Sequence, residues 1–209
     1  MPKEFEHAFF GFNKKDIISK IKELKGKRKG IFLFRVQVFL HPSGLPGTYI
    51  RVRDEGFRTT MTYKYQGPTD KYAEENEVNI DNFDEGVKIL LGVGCKKKYY
   101  YEKIREIWNV KNTEVVFDTN PGIDERMEIE SKTVKEMKEI IKYFNVKVVD
   151  FPNRYLDLFG IVIPKTVDLT FINVKKDLIK ECKKNKEDFI KLVDEQLIKY
   201  KNLIKKLKL

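Results

Sequence analysis

Charged residues of one sign recur at a spacing of two along this chain: Glu4 and Glu6, Arg51 and Arg53, Glu75 and Glu77, Lys103 and Arg105, Glu128 and Glu130. Two is the repeat of an extended strand, whose side chains alternate between faces, so each pair shares one face. Thr62 shares a face with Lys64 in the same way, and Val116 with Asp118. Between the paired positions lie Phe5, Ile50, Val52, Met61, Tyr63, Val78, Ile80, Ile104, Phe117 and Ile129. Strand after strand therefore has one apolar face and one charged face, and each charged pair is wholly acidic or wholly basic.

The same periodicity places strands at 4–10, 31–40, 49–55, 59–65, 74–80, 99–108, 114–118 and 125–131, joined by short turns such as HPSGLPG, QGPTD and NPG. Apolar residues at spacings of three and four predict helices at 14–24, 82–91 and 133–144, and one long helix or two over 174–207. Residues 147–149 read as a short extended piece. About eight strands with helices at two crossings make an α+β chain. The architecture expected is an antiparallel β-barrel or a strongly curved sheet, with helices outside. At 209 residues it forms a single domain, with a core over 1–145 and a mostly helical extension over 146–209.

No run approaches the roughly 20 apolar residues of a membrane span, and the opening MPKEFEHAFFGF lacks a signal-peptide pattern, so a cytoplasmic protein with no membrane partner is expected. Two cysteines and two histidines are too few for a disulfide framework and argue against a zinc site. A metal here would be held by carboxylates, which select hard cations such as Mg²⁺ or Mn²⁺. The formal charge of +10 favours an anionic partner, but 34 lysines against 8 arginines reflect a compositional bias. Placement of the charges is more informative than their sum.

A single charged pair on a strand is ordinarily a solvated face of a half-exposed sheet. Two features of the set point elsewhere. Surface strands tend to mix signs, and these pairs do not. Helices with apolar stripes also need an apolar surface to cover, which the outside of a barrel supplies. The charges then line the interior, where each must pair with another charge, a metal or a ligand. Glu-x-Glu offers oxygen ligands to a divalent cation, and Arg-x-Arg and Lys-x-Arg offer fixed donors to phosphate oxygens. Such an interior suits a metal-chelated polyphosphate.

In order along the chain, these motifs resemble the CYTH domains, also called triphosphate tunnel metalloenzymes. EFEHA resembles the family's opening Glu-x-Glu-x-Lys. YIRVRDE, TYKYQGP, EENEVNI, EKIRE and FDTNPGIDERMEIE are similar to its later motifs, and the resemblance spans roughly 1–145. NRYLDLFGI (153–161) is similar to a segment of the cyclase-like branch. The resemblance implies an eight-stranded antiparallel tunnel. It implies Mg²⁺ or Mn²⁺ held by Glu4, Glu6, Asp118, Glu128 and Glu130, phosphates clamped by Arg51, Arg53, Lys64, Lys103 and Arg105, and Glu75 and Glu77 as further tunnel carboxylates. One position departs: the family lysine two residues after the second glutamate is Ala8 here, and Lys14 or Lys15 is the nearest candidate to replace it.

Three functions follow from that resemblance. The first is a metal-dependent triphosphatase acting on tripolyphosphate, thiamine triphosphate or a nucleoside triphosphate. The alternative is a class IV adenylate cyclase converting ATP to cyclic AMP and pyrophosphate. The third is a protein that binds a nucleotide or an RNA 5′-triphosphate without turnover. Ala8 motivates the last, together with a C-terminal segment from Val174 holding 12 lysines against 6 acidic residues. A solvated helix face explains that segment more simply than nucleic acid does. Oligomeric state is not legible in the sequence.

Overall fold

The computed structural model describes residues 5–147, 154–163 and 168–208. Its strands are β1 (Phe5–Phe9), β2 (Lys27–Leu40), β3 (Thr48–Asp54), β4 (Thr59–Tyr65), β5 (Glu74–Ile80), β6 (Lys96–Val110), β7 (Thr113–Thr119) and β8 (Arg126–Ser131). The helices are α1 (Lys14–Glu23), α2 (Phe83–Gly92), α3 (Val134–Phe144), α4 (Arg154–Phe159), α5 (Val174–Leu178) and α6 (Lys186–Leu207). The expected elements are present, with the long C-terminal helix resolved into two. Of the expected extended piece at 147–149, residues 148 and 149 lie outside the described residues, and Lys147 is in no strand.

All eight strands form one antiparallel sheet in the order β1-β8-β7-β6-β2-β3-β4-β5. The sheet curls until its two margins meet through side chains. Lys64 on β4 reaches Glu6 on β1 at 3.2 Å, and the rings of Phe5 and Tyr72 meet edge to face at 5.0 Å. The tunnel wall is thus continuous in side chains, while no backbone ladder joins β1 to β5 among the described residues.

The apolar face lies outward under helices, as the alternating pattern requires. Phe117, Met127 and Ile129 pack with Trp108 beneath α1 and α3, whose stripes supply Ile17, Ile21, Met137, Ile140 and Phe144. Ile50 and Val52, flanked by Met61, Tyr63 and Ile80, pack beneath Val87 and Leu90 of α2. Ile104 packs beneath Tyr200 of α6. Cys95, in the connection between α2 and β6, joins the α2 cluster and is buried, because the turn after α2 tucks under that helix. Val78, on the same outward face, has no helix over it and stays exposed.

The C-terminal extension closes on this frame. Leu169 runs alongside β6 where β7 has ended, its amide donating to the Tyr100 carbonyl and its carbonyl accepting from the Glu102 amide, both at 2.9 Å. A third cluster, Phe159, Ile161, Val174, Leu178, Phe189 and Val193, binds α4, α5 and α6 to one another. No helix among the described residues is long and apolar enough to cross a membrane.

Candidate active site in the tunnel interior

The curled sheet encloses a cavity of about 520 Å³. Its wall brings together Arg51 and Arg53 of β3, Lys64 of β4, Lys103 and Arg105 of β6, Glu75 and Glu77 of β5, Glu128 and Glu130 of β8, and Glu6 of β1. Glu4 lies outside the described residues. Alternation explains the convergence: every one of these residues sits at an inward position of its strand, opposite the helix-covered residues named above.

Asp118 organises the basic side of the wall. It is fully buried, and it is the cross-strand partner of Arg105 on one side and Arg126 on the other. Lys103 Nζ donates to its Oδ2 at 2.9 Å, and Arg105 donates through Nε to Oδ1 at 2.6 Å and through Nη2 to Oδ2 at 2.5 Å. Arg105 also donates to Glu128, which pairs in turn with Arg126. Burial alone would raise the Asp118 carboxyl, but Arg105 and Lys103 outweigh it and hold the group below its ordinary value. For Glu128 burial is likewise outweighed, by Arg126 and Arg105. Burial, reinforced by the charge of Arg105, pulls the Lys103 ammonium down to about 8.

Across the cavity a second network carries Arg51 and Arg53. Arg53 Nη2 lies 2.5 Å from Glu55 and 3.0 Å from Glu77, and Arg51 Nη2 lies 3.5 Å from Glu75. Thr62 joins them, accepting from Arg51 Nε at 3.2 Å and donating to Glu77 at 2.9 Å. Two atoms here are buried without a hydrogen-bond partner among the described residues: Arg53 Nε, a donor, and Glu75 Oε2, an acceptor. A buried polar atom left unpaired costs about 1–3 kcal/mol, so Arg53 Nε calls for an acceptor, which a phosphate oxygen suits. Glu75 Oε2 lies 3.7 Å from the Lys64 ammonium.

The acidic side is built on neighbouring strands. Glu6, Glu130 and Glu114 stand side by side across β1, β8 and β7 as successive cross-strand partners. Like charges in such a row repel one another, and Lys64 reaches Glu6 at its β1 end. This all-oxygen donor set fits a hard divalent cation by its chemistry, with Glu128 on the same inner face. Asp118, also expected among the metal ligands, accepts from Lys103 and Arg105 at both of its oxygens. Among the described residues no three His, Cys, Asp or Glu side chains are already gathered as an ion cage.

Several cavity residues are not singled out by the pair motifs: Arg126, Glu55, Glu114, Arg58, Lys29 and Tyr49. The first three continue the period of two from Glu128, Arg53 and Asp118, so the signal was present in the alternation itself. Arg58, which donates to Glu55 at 2.8 Å, keeps the same period with Thr62 and Lys64 but lies one residue before the strand expected at 59–65. Ala8 stands directly across from Glu128, and the cations that reach that glutamate are Arg105 and Arg126. Neither candidate replacement enters the cavity: Lys14 pairs with Glu125 at 2.7 Å and Glu106 at 3.0 Å on the outer side, and Lys15 is exposed. Helix α1 starts beyond the strand and faces away from the interior, so its lysines cannot turn inward.

Solved structures share this architecture. The PH1012 protein from Pyrococcus horikoshii OT3 superposes with a TM-score of 0.59 at 23% identity, over 69% of this chain and 91% of that one. A candidate adenylate cyclase from Vibrio parahaemolyticus gives 0.59 at 16% identity, over 70% and 90%. One from Bacillus halodurans gives 0.52 at 17%, over 76% and 100%. At these identities the likeness is one of fold. No curated protein matches the chain. The family model described as CYTH domain matches residues 14–146, most of the strands that wall the cavity, and the chain accordingly belongs to the CYTH domain family.

Proposed function

We propose that this protein is a metal-dependent triphosphatase that binds the phosphates of its substrate within the tunnel. The observation that carries the reading is the convergence of Arg51, Arg53, Lys64, Lys103 and Arg105 on one cavity, with a buried Arg53 Nε lacking an acceptor. Guanidinium forks on β3 and β6 suit the paired oxygens of phosphoryl groups, and their fixed positions supply charge stabilisation without reorganisation. Glu6, Glu128 and Glu130, with Glu4, are the residues that would hold Mg²⁺ or Mn²⁺. When bound, that ion would neutralise phosphate charge that develops during transfer of the terminal phosphoryl group to water. Asp118 acts from behind the wall, holding Lys103 and Arg105 in position.

The experiment is a product-resolved assay of tripolyphosphate, thiamine triphosphate and ATP with Mg²⁺ and with Mn²⁺. The expected outcome is inorganic phosphate released from at least one of them, and lost on adding EDTA. Phosphate from none overturns the reading. Cyclic AMP with pyrophosphate from ATP would instead establish the cyclase, a reading supported by the descriptions of the Vibrio and Bacillus relatives. Metal-dependent binding with no product would establish a binder, which Ala8 favours.

A further inference from the structure

We propose that α6 is a positioning element of the anion clamp. Through Lys199 and Gln196 it holds, from outside the tunnel, the backbone row whose inner side chains are Arg105, Asp118 and Arg126. The proposal rests on the phosphate-binding reading of the cavity and adds to it a part of the chain beyond the family match, which ends at residue 146.

The three inner residues are successive cross-strand partners on β6, β7 and β8. Their chain neighbours Glu106, Thr119 and Glu125 form a second network on the outer side. Lys199 Nζ donates to Thr119 Oγ1 at 2.6 Å and lies 3.4 Å from Glu125. Lys14 of α1 bridges Glu125 and Glu106, and Glu106 also accepts from Arg28 at 2.8 Å and from the Trp108 indole at 3.0 Å. Each outer contact therefore grips a residue covalently joined to one of the clamp residues.

One turn earlier on the same face of α6, Gln196 is buried and uses both ends of its amide on the β7–β8 connection. Its Oε1 accepts from the Gly122 amide at 2.7 Å, and its Nε2 donates to the Ile123 carbonyl at 2.6 Å. Gly122 is at φ +76°, and an added Cβ would lie 3.0 Å from Val174 and 3.2 Å from Phe189. The connection is thus shaped to the extension. Phe189 and Val193 anchor the helix here in the third cluster, and Tyr200 stacks on Phe171 at 5.1 Å. A hairpin whose strands present Asp118, Arg126 and Glu128 inward is held outside at its turn and at both strand ends. A displacement of about 1 Å is enough to cost a bound ligand much of its stabilisation, which makes such an outer clamp consequential for the site.

The test compares Lys199→Met, Lys199→Arg and Lys201→Met in the full chain. Lys201 is exposed on α6, so its variant controls for the loss of one positive charge. Two quantities are read: tripolyphosphate affinity with Mg²⁺, and amide hydrogen exchange over 118–126. The expected result for Lys199→Met is affinity weakened roughly tenfold and faster exchange in that segment. Lys199→Arg restores both, and Lys201→Met changes neither. Unchanged exchange in Lys199→Met, or equal loss of affinity in Lys199→Met and Lys201→Met, overturns the proposal. If the wild-type protein binds no tripolyphosphate, affinity is read with thiamine triphosphate or ATP; if it binds none of the three the proposed function falls, and the exchange comparison still decides whether α6 positions the row.

Discussion

Asp118 shows how one residue can set the chemistry of a wall. With no exposure and both oxygens bonded, it attracts two cations that burial would otherwise disfavour, and that attraction outweighs the repulsion from Glu128. Removing its chief partner leaves the buried carboxylate with Lys103 alone, and breaking a buried ion pair in this way costs about 3–5 kcal/mol. Arg105→Met is expected to destabilise the fold by about that amount in urea unfolding, and to abolish phosphate binding in whatever fraction remains folded. Lys103 gives a second residue-scale expectation. Its ammonium, lowered to about 8 by burial and Arg105, is charged below that pH and neutral above it. Tripolyphosphate affinity should fall as pH rises through about 8, and Lys103→Arg should flatten the fall in a pH series of binding titrations. Stability moves the other way for this group. Between about 8 and the ordinary lysine value of 10.5 the unfolded chain holds the proton more tightly, so its contribution favours the fold as pH rises through that window.

Elements with local signals sit where their residues direct. Asn13, Asn82 and Thr133 cap α1, α2 and α3 by accepting from the first-turn amides, and β4 and β5 occupy 59–65 and 74–80 as the alternation predicts. Strands β2 and β6 extend beyond their sequence signal, because each pairs with the other along nearly its whole length and the ladder carries polar ends such as Lys27 and Lys96. The open end of the β3–β4 hairpin brings a glycine into close backbone approach. Gly47 has φ +75°, its carbonyl accepts from the Gln66 amide at 2.9 Å, and an added Cβ would lie 2.2 Å from the Gln66 carbonyl oxygen. Gly47→Ala is expected to destabilise by at least about 1–2 kcal/mol. Because Gly47 also lines the cavity, weaker phosphate binding should accompany the lowered midpoint of a thermal melt.

Over the whole molecule, the tunnel is close to neutral by itself: among the described residues seven glutamates and eight basic residues line it. A polyanion entering this space must take cations from their glutamate partners, and a metal occupying those glutamates relieves the competition. Metal and tripolyphosphate should therefore bind with positive coupling. At ligand concentrations near 100 times the dissociation constant the added stability is about 2.7 kcal/mol. For a chain of this size that corresponds to a rise in melting temperature of roughly 5–10 °C. Thermal melts with Mg²⁺ alone and tripolyphosphate alone should each show smaller shifts whose sum falls short of the joint one. Additive shifts would contradict the coupling.

The sequence by itself determined the two-faced strands, the helices that cover their outer side, and the inward placement of Arg51, Arg53, Lys103, Arg105, Glu75, Glu77, Glu128 and Glu130. These follow from a period of two, which is a local property of the backbone. Tertiary structure alone decided the rest. It turned Asp118 toward Lys103 and Arg105, left Lys14 outside the tunnel, and laid α6 against the hairpin that carries Arg126. Those outcomes depend on which strands become neighbours and how far the sheet curls, and contacts across the curl join residues with no fixed separation along the chain.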